Sequence, residues 1–381
     1  MPAQLDKLLN AEDFRQAARR RLPKSIFEFI DGGAEDEITL RENRTAFERR
    51  RIAPRILTDV TEPDLQTDIL GTPAAAPLLI APMGSCMLAW PEADIAIARA
   101  AAAHGIPYTL STMSTTSIER MARAVDGPLW FQLYLFRQRE FNAALIERAQ
   151  KAGYQAMVLT VDLQAGGKRE RDLRNGVVLP LRLSLRQIVE GVTHPRWALS
   201  MLHGGLPQFE NVSGYLSAES AGLTIAARAA QNLDAGFDWG GLARIRELWP
   251  GKLIVKGVLH PADAARLVAE GVDGLWVSNH GGRQLDGAIA SADALPGIVE
   301  ATRGDVPIVI DSGVRRGMDV LKARAMGATA AAVGRAVLFG AAVAGEAGAA
   351  RVVGILIDEL QRAMRLAGVP RVSKADGSLL G

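Results

Sequence analysis

Eight short apolar segments recur along the chain, and stretches with helical periodicity separate them. The segments begin near Pro77, Tyr108, Leu129, Ala156, Leu253, Gly274, Pro307 and Ala330. Their starts are about 31, 21, 27, 97, 21, 33 and 23 residues apart, and every interval except the fourth fits one strand, one helix and two short loops. Segments this apolar have no face suited to water, which is typical of parallel strands covered by helices. The pattern predicts an α/β fold, a (β/α)8 TIM barrel over about residues 77–345.

Helical patterns fill the intervals and both ends of the chain. Between the strands they cover residues 92–103, 139–152, 261–270, 292–301 and 317–325. Before the barrel, an N-terminal helical segment at residues 11–22 precedes a second helix that begins at Pro23, and we expect both to cover the bottom or flank of the barrel. After the barrel, residues 350–367 are predicted to form a terminal helix that Gly368 ends.

The fourth interval carries a long insertion after strand four, which we place at about residues 175–238. It contains Pro180, Pro195, Pro207 and the pair Gly204-Gly205, with little sustained periodicity. Long loops that follow a barrel strand lie on the catalytic face and are commonly functional. We therefore expect a lid or a docking surface there, within a single domain that comprises residues 1–381.

Composition and charge narrow the classes of partner. The chain has 381 residues, with 44 Lys+Arg against 42 Asp+Glu and a formal charge of +2. This balance, without a block of one sign, argues against a nucleic-acid-binding surface and favours small-molecule ligands. The single cysteine excludes a disulfide framework and a cysteine-rich metal site, so no metal centre is predicted. The N-terminal segment lacks the apolar core of an export signal, and we expect a cytoplasmic location.

Polar residues at the strand ends indicate the chemistry, because such barrels build their sites there. Lys256 ends an otherwise apolar strand, where an ammonium group is costly without an anion or an electron-rich ring beside it. After the last two strands, residues 311–317 and the pair Gly334-Arg335 combine small residues with guanidinium groups. Barrels commonly hold a phosphate there. The residues alone indicate a phosphate-bearing cofactor, and a glycine-rich turn with a solvated arginine is the alternative.

Three motifs then identify a family. Residues 278–286 read Ser-Asn-His-Gly-Gly-Arg-Gln-Leu-Asp, residues 131–134 read Phe-Gln-Leu-Tyr, and residues 311–317 read Asp-Ser-Gly-Val-Arg-Arg-Gly. The first is similar to the signature of the FMN-dependent 2-hydroxy acid dehydrogenase/oxidase family, and the resemblance covers nearly the whole chain. It implies FMN as cofactor and a 2-hydroxy acid as substrate.

The resemblance implies a set of catalytic residues. His280 matches the base that takes the proton from the substrate 2-hydroxyl group, and of the five histidines only this one ends a barrel strand. Asp162 matches the carboxylate that holds the imidazole and stabilises its protonated form. Tyr134 is expected to hydrogen-bond the substrate. Lys256 resembles the lysine at the N1/C2 edge of the flavin, where its charge stabilises the reduced ring.

The resemblance also implies a substrate-binding set, in which this chain departs from the family at one position. Arg283 and Arg169 correspond to the guanidinium groups that bind the substrate carboxylate, for which their planar fork is well suited. The family usually has a tyrosine where this chain has Phe29. The missing hydroxyl group indicates either a bulkier, more apolar substrate or weaker binding of the substrate carboxylate. Met87, Leu88 and Trp90 are candidates to line the substrate side chain.

The cofactor-binding set follows from the same resemblance. The residues expected to line the isoalloxazine ring are Pro82, Met83, Gly84, Ser111, Gln132, Thr160, Lys256 and Ser278. Those expected to hold the ribityl chain and phosphate are Asp311, Gly313, Arg315, Gly334 and Arg335. Gly84 stands where oxidases of the family often carry alanine, which favours a dehydrogenase.

The function that the resemblance implies is the oxidation of an (S)-2-hydroxy acid to the 2-oxo acid, by a mandelate-like or lactate dehydrogenase that passes electrons to a quinone. An oxidase that uses oxygen and produces hydrogen peroxide is the first alternative. A flavin-dependent isomerase of a phosphorylated substrate and an FMN-holding ligand sensor are more distant ones.

The insertion and the relatives suggest further partners. Bulky apolar residues of the insertion alternate with arginines, a mixture that lies readily on an anionic membrane. They are Leu181, Leu183, Leu185, Ile188, Trp197, Leu199, Met201 and Leu202 with Arg182, Arg186 and Arg196. Membrane docking of related enzymes through this region implies peripheral contact with the cytoplasmic face of the inner membrane. A soluble lid or an oligomer contact is the alternative, and relatives commonly form tetramers.

Overall fold

The eight apolar segments form one closed parallel barrel in the computed structural model, which confirms the predicted fold. The structure describes residues 5–176, 178–179, 185–204, 208–213, 223–224 and 232–381. Two short antiparallel pairs lie outside the barrel: β1 (Thr67–Ile69) with β2 (Thr72–Ala74), and β7 (Val178–Leu179) with β8 (Leu223–Thr224). The barrel strands are β3 (Leu78–Ile80), β4 (Tyr108–Ser111), β5 (Leu129–Leu133), β6 (Ala156–Thr160), β9 (Lys252–Val258), β10 (Gly274–Val277), β11 (Ile308–Ile310) and β12 (Ala330–Val333). Pairing of β12 with β3 closes it.

Helices surround the barrel at nearly the predicted positions. They are α1 (Ala11–Arg21), α2 (Lys24–Asp31), α3 (Ile38–Arg49), α4 (Ala93–Ala103), α5 (Ile118–Ala124), α6 (Arg139–Lys151), α7 (Glu170–Asn175), α8 (Leu185–Thr193), α9 (Pro195–Gly204), α10 (Trp239–Leu248), α11 (Pro261–Ala269), α12 (Ser291–Thr302), α13 (Gly317–Ala325) and α14 (Arg335–Ala367). The terminal helix predicted at residues 350–367 lies in the second part of α14, which follows the first part across a kink. Non-helical backbone at Ala344 and Gly345 kinks α14, and Gly368 ends it in the left-handed conformation, as predicted.

The β1–β2 hairpin closes the N-terminal end of the barrel. Ile69 and Leu70 at its tip are buried in one cluster with side chains that point into the barrel, including Trp130 and Trp276. The indole Nε1 of Trp130 donates to Thr72 Oγ1 at 3.3 Å, which satisfies a polar group that the interior would otherwise isolate. The catalytic side chains can therefore lie only at the other end of this filled interior.

The insertion contacts the rest of the protein through two described helices. Glu190 on α8 accepts hydrogen bonds from the backbone N and Oγ of Ser25 at 3.2 and 2.8 Å. The Nε1 of Trp197 on α9 donates to the carbonyl of Leu88 at 2.8 Å, in the loop after β3. That loop follows the C-terminal end of a strand, so α9 lies on the catalytic side of the barrel. Leu181, Arg182 and Leu183 lie outside the described residues, as do the side chains of Leu185, Arg186 and Ile188.

One described helix, α14, is long and apolar enough to cross a membrane, with a mean hydropathy of 1.5 over its most apolar window. However, 67% of that window is buried inside the protein. The helix packs against α4 and α1, and Phe339 within it stacks on Phe27 of α2 with ring centroids 6.0 Å apart. Its apolar surface is thus used in the core.

Candidate active site

A cavity at the C-terminal ends of the strands collects most of the predicted site residues. Those that line it are Phe29, Pro82, Met83, Gly84, Tyr134, Thr160, Arg169, Lys256, His280, Arg283, Asp311, Gly313, Arg315, Gly334 and Arg335. The other predicted residues, Asp162, Ser111, Gln132 and Ser278, lie directly behind this lining and contact it by hydrogen bonds or in the barrel strands. Residues from all parts of the chain therefore meet at one place.

His280 connects two of the predicted catalytic groups. Its Nδ1 lies 2.9 Å from Asp162 Oδ1, and its Nε2 lies 3.2 Å from the hydroxyl of Tyr134. An ionised carboxylate can only accept, so Nδ1 carries the proton and the unprotonated Nε2 accepts from Tyr134. The aromatic ring of Tyr134 stacks on the imidazole with centroids 6.3 Å apart. This tautomer presents a basic nitrogen to the cavity.

The backbone around His280 explains the glycines of its motif. His280, Gly281 and Gly282 all have left-handed φ angles, of 58°, 67° and 70°. A Cβ atom at Gly281 would lie 2.6 Å from Nη1 of Arg335, and one at Gly282 would lie 2.6 Å from the backbone N of Leu40. The backbone contact at Gly282 leaves no room for a side chain, and the left-handed φ angles favour glycine at both positions. The turn aims the imidazole back over the barrel end.

The charges near the imidazole keep it neutral and the carboxylate ionised. Burial lowers the pKa of His280, Lys256 lowers it further, and Asp162 opposes both. Burial alone would raise the pKa of Asp162, but His280 and Lys256 outweigh it and hold the pKa of this carboxyl below its ordinary value. A neutral imidazole next to an ionised carboxylate is the protonation state that a general base requires.

Lys256 is fixed by a network of side chains across three strands. Its Nζ donates to Ser278 Oγ at 2.9 Å and lies 3.6 Å from Asp311 Oδ2. Asp311 also accepts from the indole Nε1 of Trp276 at 3.0 Å and from Ser312 Oγ at 2.6 Å. Lys256 is only 3% exposed, so its ammonium group is held at the base of the cavity with one fixed direction.

Two guanidinium groups face the imidazole from the side of α2 and α7. Arg283 donates through Nη1 to the carbonyls of Phe29 and Gly32 at 2.8 and 2.9 Å, and its guanidinium carbon lies 5.3 Å from the centre of the Phe29 ring. Arg169, at the N-cap of α7, lies 3.7 Å from Asp172. Burial lowers the pKa of Arg283 well below its ordinary value, and Arg169 and Arg335 add to this effect. Such poorly compensated positive charge favours an anionic ligand.

A second pair of guanidinium groups lies across the cavity, after the last two strands. Arg335 donates to the carbonyls of Ile30, Gly281 and Gly32 at 2.8, 3.0 and 2.8 Å, and Arg315 donates to that of Val314 at 2.9 Å. In the described part of the chain neither has an acidic partner within 4 Å. Burial is the main reason that the pKa of each falls to about 10, and mutual repulsion contributes for Arg315. The pair is suited to a phosphate group.

Comparison with known proteins identifies the family to which the chain belongs. The model of the FMN-dependent dehydrogenase family matches residues 18–381. The chain belongs to this family. (S)-mandelate dehydrogenase of Pseudomonas putida is 43% identical over 367 residues, which are 96% of this chain and 92% of that protein. L-lactate dehydrogenase of Pectobacterium atrosepticum is 42% identical, over 95% of this chain and 94% of that protein. A crystal structure of the monotopic membrane protein (S)-mandelate dehydrogenase superposes with a TM-score of 0.92 at 42% identity, covering 98% and 99% of the two chains.

FMN is the cofactor of the FMN-dependent dehydrogenase family, and the cavity fits it. Nε2 of Gln132 and Oγ1 of Thr160 are buried without a hydrogen-bond partner among the described residues. Buried polar atoms of this kind require a partner, and the nitrogen and oxygen atoms of an isoalloxazine edge supply such partners. At the other end of the cavity, Arg315 and Arg335 meet the charge of a phosphate. The donor set therefore suits FMN at both of its polar ends.

Some features of this site were not predicted. Met87, Leu88 and Trp90 are not among the cavity-lining residues; Leu88 and Trp90 instead contact Trp197 and Arg21. This does not support the prediction that they line the substrate side chain; Met87 and Leu88 stand in a short 3₁₀ helix after β3, and Trp90 follows it. The additional lining residues are Ile30, Ala81, Ser85, Met113, Leu163, Gly281, Ser312, Val314, Ala332 and Leu338. Several directly follow a predicted residue, which is the one signal that could have found them.

Proposed function

We propose that this FMN-dependent dehydrogenase oxidises an (S)-2-hydroxy acid to the 2-oxo acid. The observation that supports it most directly is the line from Asp162 through His280 to Tyr134, with Arg169 and Arg283 beside it. It offers a base for a hydroxyl proton and cations for a carboxylate at one cavity wall. A 2-hydroxy acid carries these two groups on neighbouring carbon atoms.

His280 removes the proton of the 2-hydroxyl group through Nε2. As it does so, the imidazole becomes a cation, and Asp162 at 2.9 Å from Nδ1 stabilises that charge. Tyr134 lies within hydrogen-bond distance of the same Nε2, so its hydroxyl group can hold the substrate oxygen in line with the base. Tyr134 stays protonated throughout, because burial raises its pKa far above neutral pH.

Arg283 and Arg169 hold the substrate carboxylate and so orient the C2 hydrogen. The bonds from Arg283 to the carbonyls of Phe29 and Gly32 fix its guanidinium plane before substrate arrives, which reduces the entropy lost on binding. FMN, when bound, would supply the acceptor for the two electrons and the C2 hydrogen. Lys256 at the base of the cavity would stabilise the negative charge of the reduced cofactor.

Anaerobic reduction of the bound flavin tests this proposal. We expect (S)-mandelate or L-lactate to bleach the absorbance of the holoprotein, with His280→Ala slower by several orders of magnitude. A 2-hydroxy amide, which lacks the carboxylate, should reduce the flavin poorly. If none of these acids bleaches the flavin, the proposal is wrong and an isomerase or a ligand sensor becomes the better hypothesis.

Among the substrates we favour a mandelate-like aromatic acid over lactate. Phe29 is 8% exposed, and its ring lines the cavity beside Arg283, where it adds apolar surface and no hydroxyl group. The relatives named above include both a mandelate and a lactate dehydrogenase. The ratio of flavin-reduction rate constants for (S)-mandelate and L-lactate at saturation distinguishes the two, and a ratio below one would favour lactate.

We further propose that a quinone in the membrane accepts the electrons. A Cβ atom at Gly84 would lie 3.0 Å from both the Cβ and the carbonyl oxygen of Met113, so the loops after β3 and β4 approach closely here and an alanine would require Met113 to shift by a few tenths of an ångström. This close approach supports a dehydrogenase rather than the alternative oxidase. Reoxidation of the reduced protein by a soluble quinone should exceed reoxidation by oxygen, and the reverse order would favour an oxidase that forms hydrogen peroxide.

The described helices of the insertion support contact with an anionic membrane. Val189, Val192, Leu199 and Leu202 are 55–78% exposed, and Arg196 lies exposed next to them. Apolar side chains of this kind insert among lipids while arginine binds the anionic headgroups. The (S)-mandelate dehydrogenase whose crystal structure is named above is a monotopic membrane protein.

Vesicle flotation tests this contact. We expect the holoprotein to float with phosphatidylglycerol vesicles and less with phosphatidylcholine vesicles, and the double variant Leu199→Ser, Leu202→Ser to float at least about tenfold less. Leu366→Ser is the matched control, since Leu366 is 73% exposed on α14 and outside the insertion. Equal flotation of the double variant and the control would refute membrane docking through α9.

A further inference from the structure

A buried carboxylate, Asp172, lies beside the guanidinium groups of the cavity. It stands in the first turn of α7 and is 3% exposed. Its one ion pair among the described residues is with Arg169, with Oδ2 3.7 Å from Nη1. The buried Nε of Arg169 has no hydrogen-bond partner in this part of the chain. Two buried charges at this distance are only loosely paired, so Arg169 keeps capacity for a second anion.

Charged groups face Asp172 from three elements. They are Arg169 at the start of α7, Arg283 in the loop after β10, and Glu28 on α2. Glu28 is itself held by Asn175, whose Nδ2 donates to it at 2.5 Å. Burial is the main reason that the pKa of Asp172 is raised; the two arginines oppose this effect and Glu28 adds to it. Any further anion on this side of the cavity must raise that pKa again.

We propose that Asp172 is the internal counter-anion of the substrate-carboxylate site. It pairs with Arg169 while the site lacks substrate, and it takes up protons from solvent when a substrate carboxylate binds to Arg169 and Arg283. Asp172 is thus a positioning residue that sets the affinity for the carboxylate and does not touch the reacting atoms. This inference rests on the proposed function, because it needs a carboxylate at these arginines.

The coupling between proton binding by Asp172 and carboxylate binding determines how the affinity for the carboxylate changes with pH. A group whose pKa rises on ligand binding favours binding when it is protonated, so affinity is highest below the pKa of the free protein. Affinity then falls as the pH rises through that pKa and levels off above the pKa of the complex. His280 also faces the cavity and titrates in both the parent protein and an Asp172 variant. The difference between their two pH profiles therefore belongs to Asp172.

Binding of phenylacetate and propionate to the FMN-loaded protein tests the proposal, since neither acid has a 2-hydroxyl group that could be oxidised. The dissociation constant is read from the change in flavin absorbance between pH 4.5 and 8. We expect Asp172→Asn to bind the acids roughly tenfold more tightly at pH 8, which is a coupling of about one pKa unit. Its affinity should also depend less on pH. Asp172→Glu, which keeps the charge, should restore the parent profile.

Two controls separate this effect from a change in the fold. Glu170→Gln removes an acid from the same turn of α7, where Glu170 pairs with Lys168 and Arg174 outside the cavity, and should bind as the parent does. Phenylacetamide has no charge, so Asp172→Asn should not change its affinity. If Asp172→Asn does not fold, calorimetry in two buffers measures proton uptake directly in His280→Ala, and phenylacetate should still bring an uptake of up to about half a proton at the pH where affinity changes most.

The outcomes are distinct. Weaker binding by Asp172→Asn, an unchanged pH profile, or equal effects of Asp172→Asn and Glu170→Gln would overturn the role of Asp172 and leave the proposed function intact. No proton uptake in His280→Ala would do the same. If the parent protein binds neither phenylacetate nor propionate, or binds phenylacetamide as well as phenylacetate, then the carboxylate site and the role of Asp172 are both wrong.

Discussion

Replacing Asp162 by asparagine tests how far the carboxylate supports His280 as the general base. The carboxylate accepts from Nδ1 of His280 at 2.9 Å, and its other oxygen, Oδ2, is buried without a partner among the described residues. Its negative charge therefore interacts with the imidazole of His280 and the ammonium group of Lys256. Asparagine has nearly the same shape but no charge, so Asp162→Asn removes the electrostatic effect and leaves the packing in place.

The magnitude follows from the charge that forms on the imidazole. A hydrogen bond to a charged group contributes about 1.5–3 kcal/mol, and a buried pair at this distance lies near the upper value. At 1.36 kcal/mol for each tenfold change, about 3 kcal/mol slows the proton transfer by roughly 10²-fold. Asp162 also raises the pKa of His280, so its loss should lower that pKa further. The base is active when neutral, hence the acidic limb of the rate profile should move to lower pH.

Stopped-flow reduction of the flavin under anaerobic conditions measures both effects. The expected result for Asp162→Asn is a lower plateau rate constant together with a midpoint at lower pH than the parent. Asp273→Asn is the control, because Asp273 pairs with Arg246 and Lys252 at the N-terminal end of the strands and lies far from the cavity. A rate constant within threefold of the parent, or a midpoint that moves upward, would refute this account of the base.

Two other predictions concern the cofactor and the fold. Arg335→Leu removes one of two buried cations at the phosphate end and should raise the dissociation constant of FMN by at least about tenfold, measured from the fluorescence of released FMN; Arg362→Leu, exposed on the same helix, should have no effect, and equal retention of FMN by both variants would contradict the assignment. Ile69→Ala empties part of the hairpin tip, where Ile69 is fully buried, and should lower the free energy of unfolding in urea by about 2–4 kcal/mol. A loss below about 1 kcal/mol would mean that the hairpin is not part of the cooperative core.

The barrel was predictable because its strands are apolar on both faces. Each of the eight segments carries this signal locally, and its spacing from the next leaves room for one helix. The β1–β2 hairpin gave no such signal: each strand has three residues, and Leu70 at its tip owes its burial to the barrel interior. Burial that depends on a distant element cannot be read from a short local pattern.

Helix α3 shows the same limit at its N-terminus. Glu37 at the N-cap is left-handed and makes no side-chain cap. The carboxylate of Asp286 instead accepts from the backbone N atoms of Ile38 and Thr39 at 3.2 and 2.9 Å, across about 250 residues of chain. A capping residue so far away in sequence leaves no local motif. It also explains why the last residue of the 278–286 motif lies outside the cavity.

The site was predictable as a set of residues but not as a set of interactions. The strand ends and the family motif placed His280, Lys256 and Arg283 at one cavity. They did not show that Arg283 donates to carbonyls of α2 and the turn after it, or that Asp172 lies beside Arg169. Those contacts depend on how α2 and α7 pack against the barrel, which motif spacing does not encode.

The filled N-terminal half of the barrel determines how reactants reach the cavity. Because Ile69 and Leu70 close the N-terminal end, the acid, its keto product and the electron acceptor must all approach from the opposite end. Reactants that approach a cavity from the same end compete for access to it. A large excess of acid should therefore obstruct the acceptor's approach to the reduced protein, and turnover should decline at high acid concentration even though each half of the cycle is still fast.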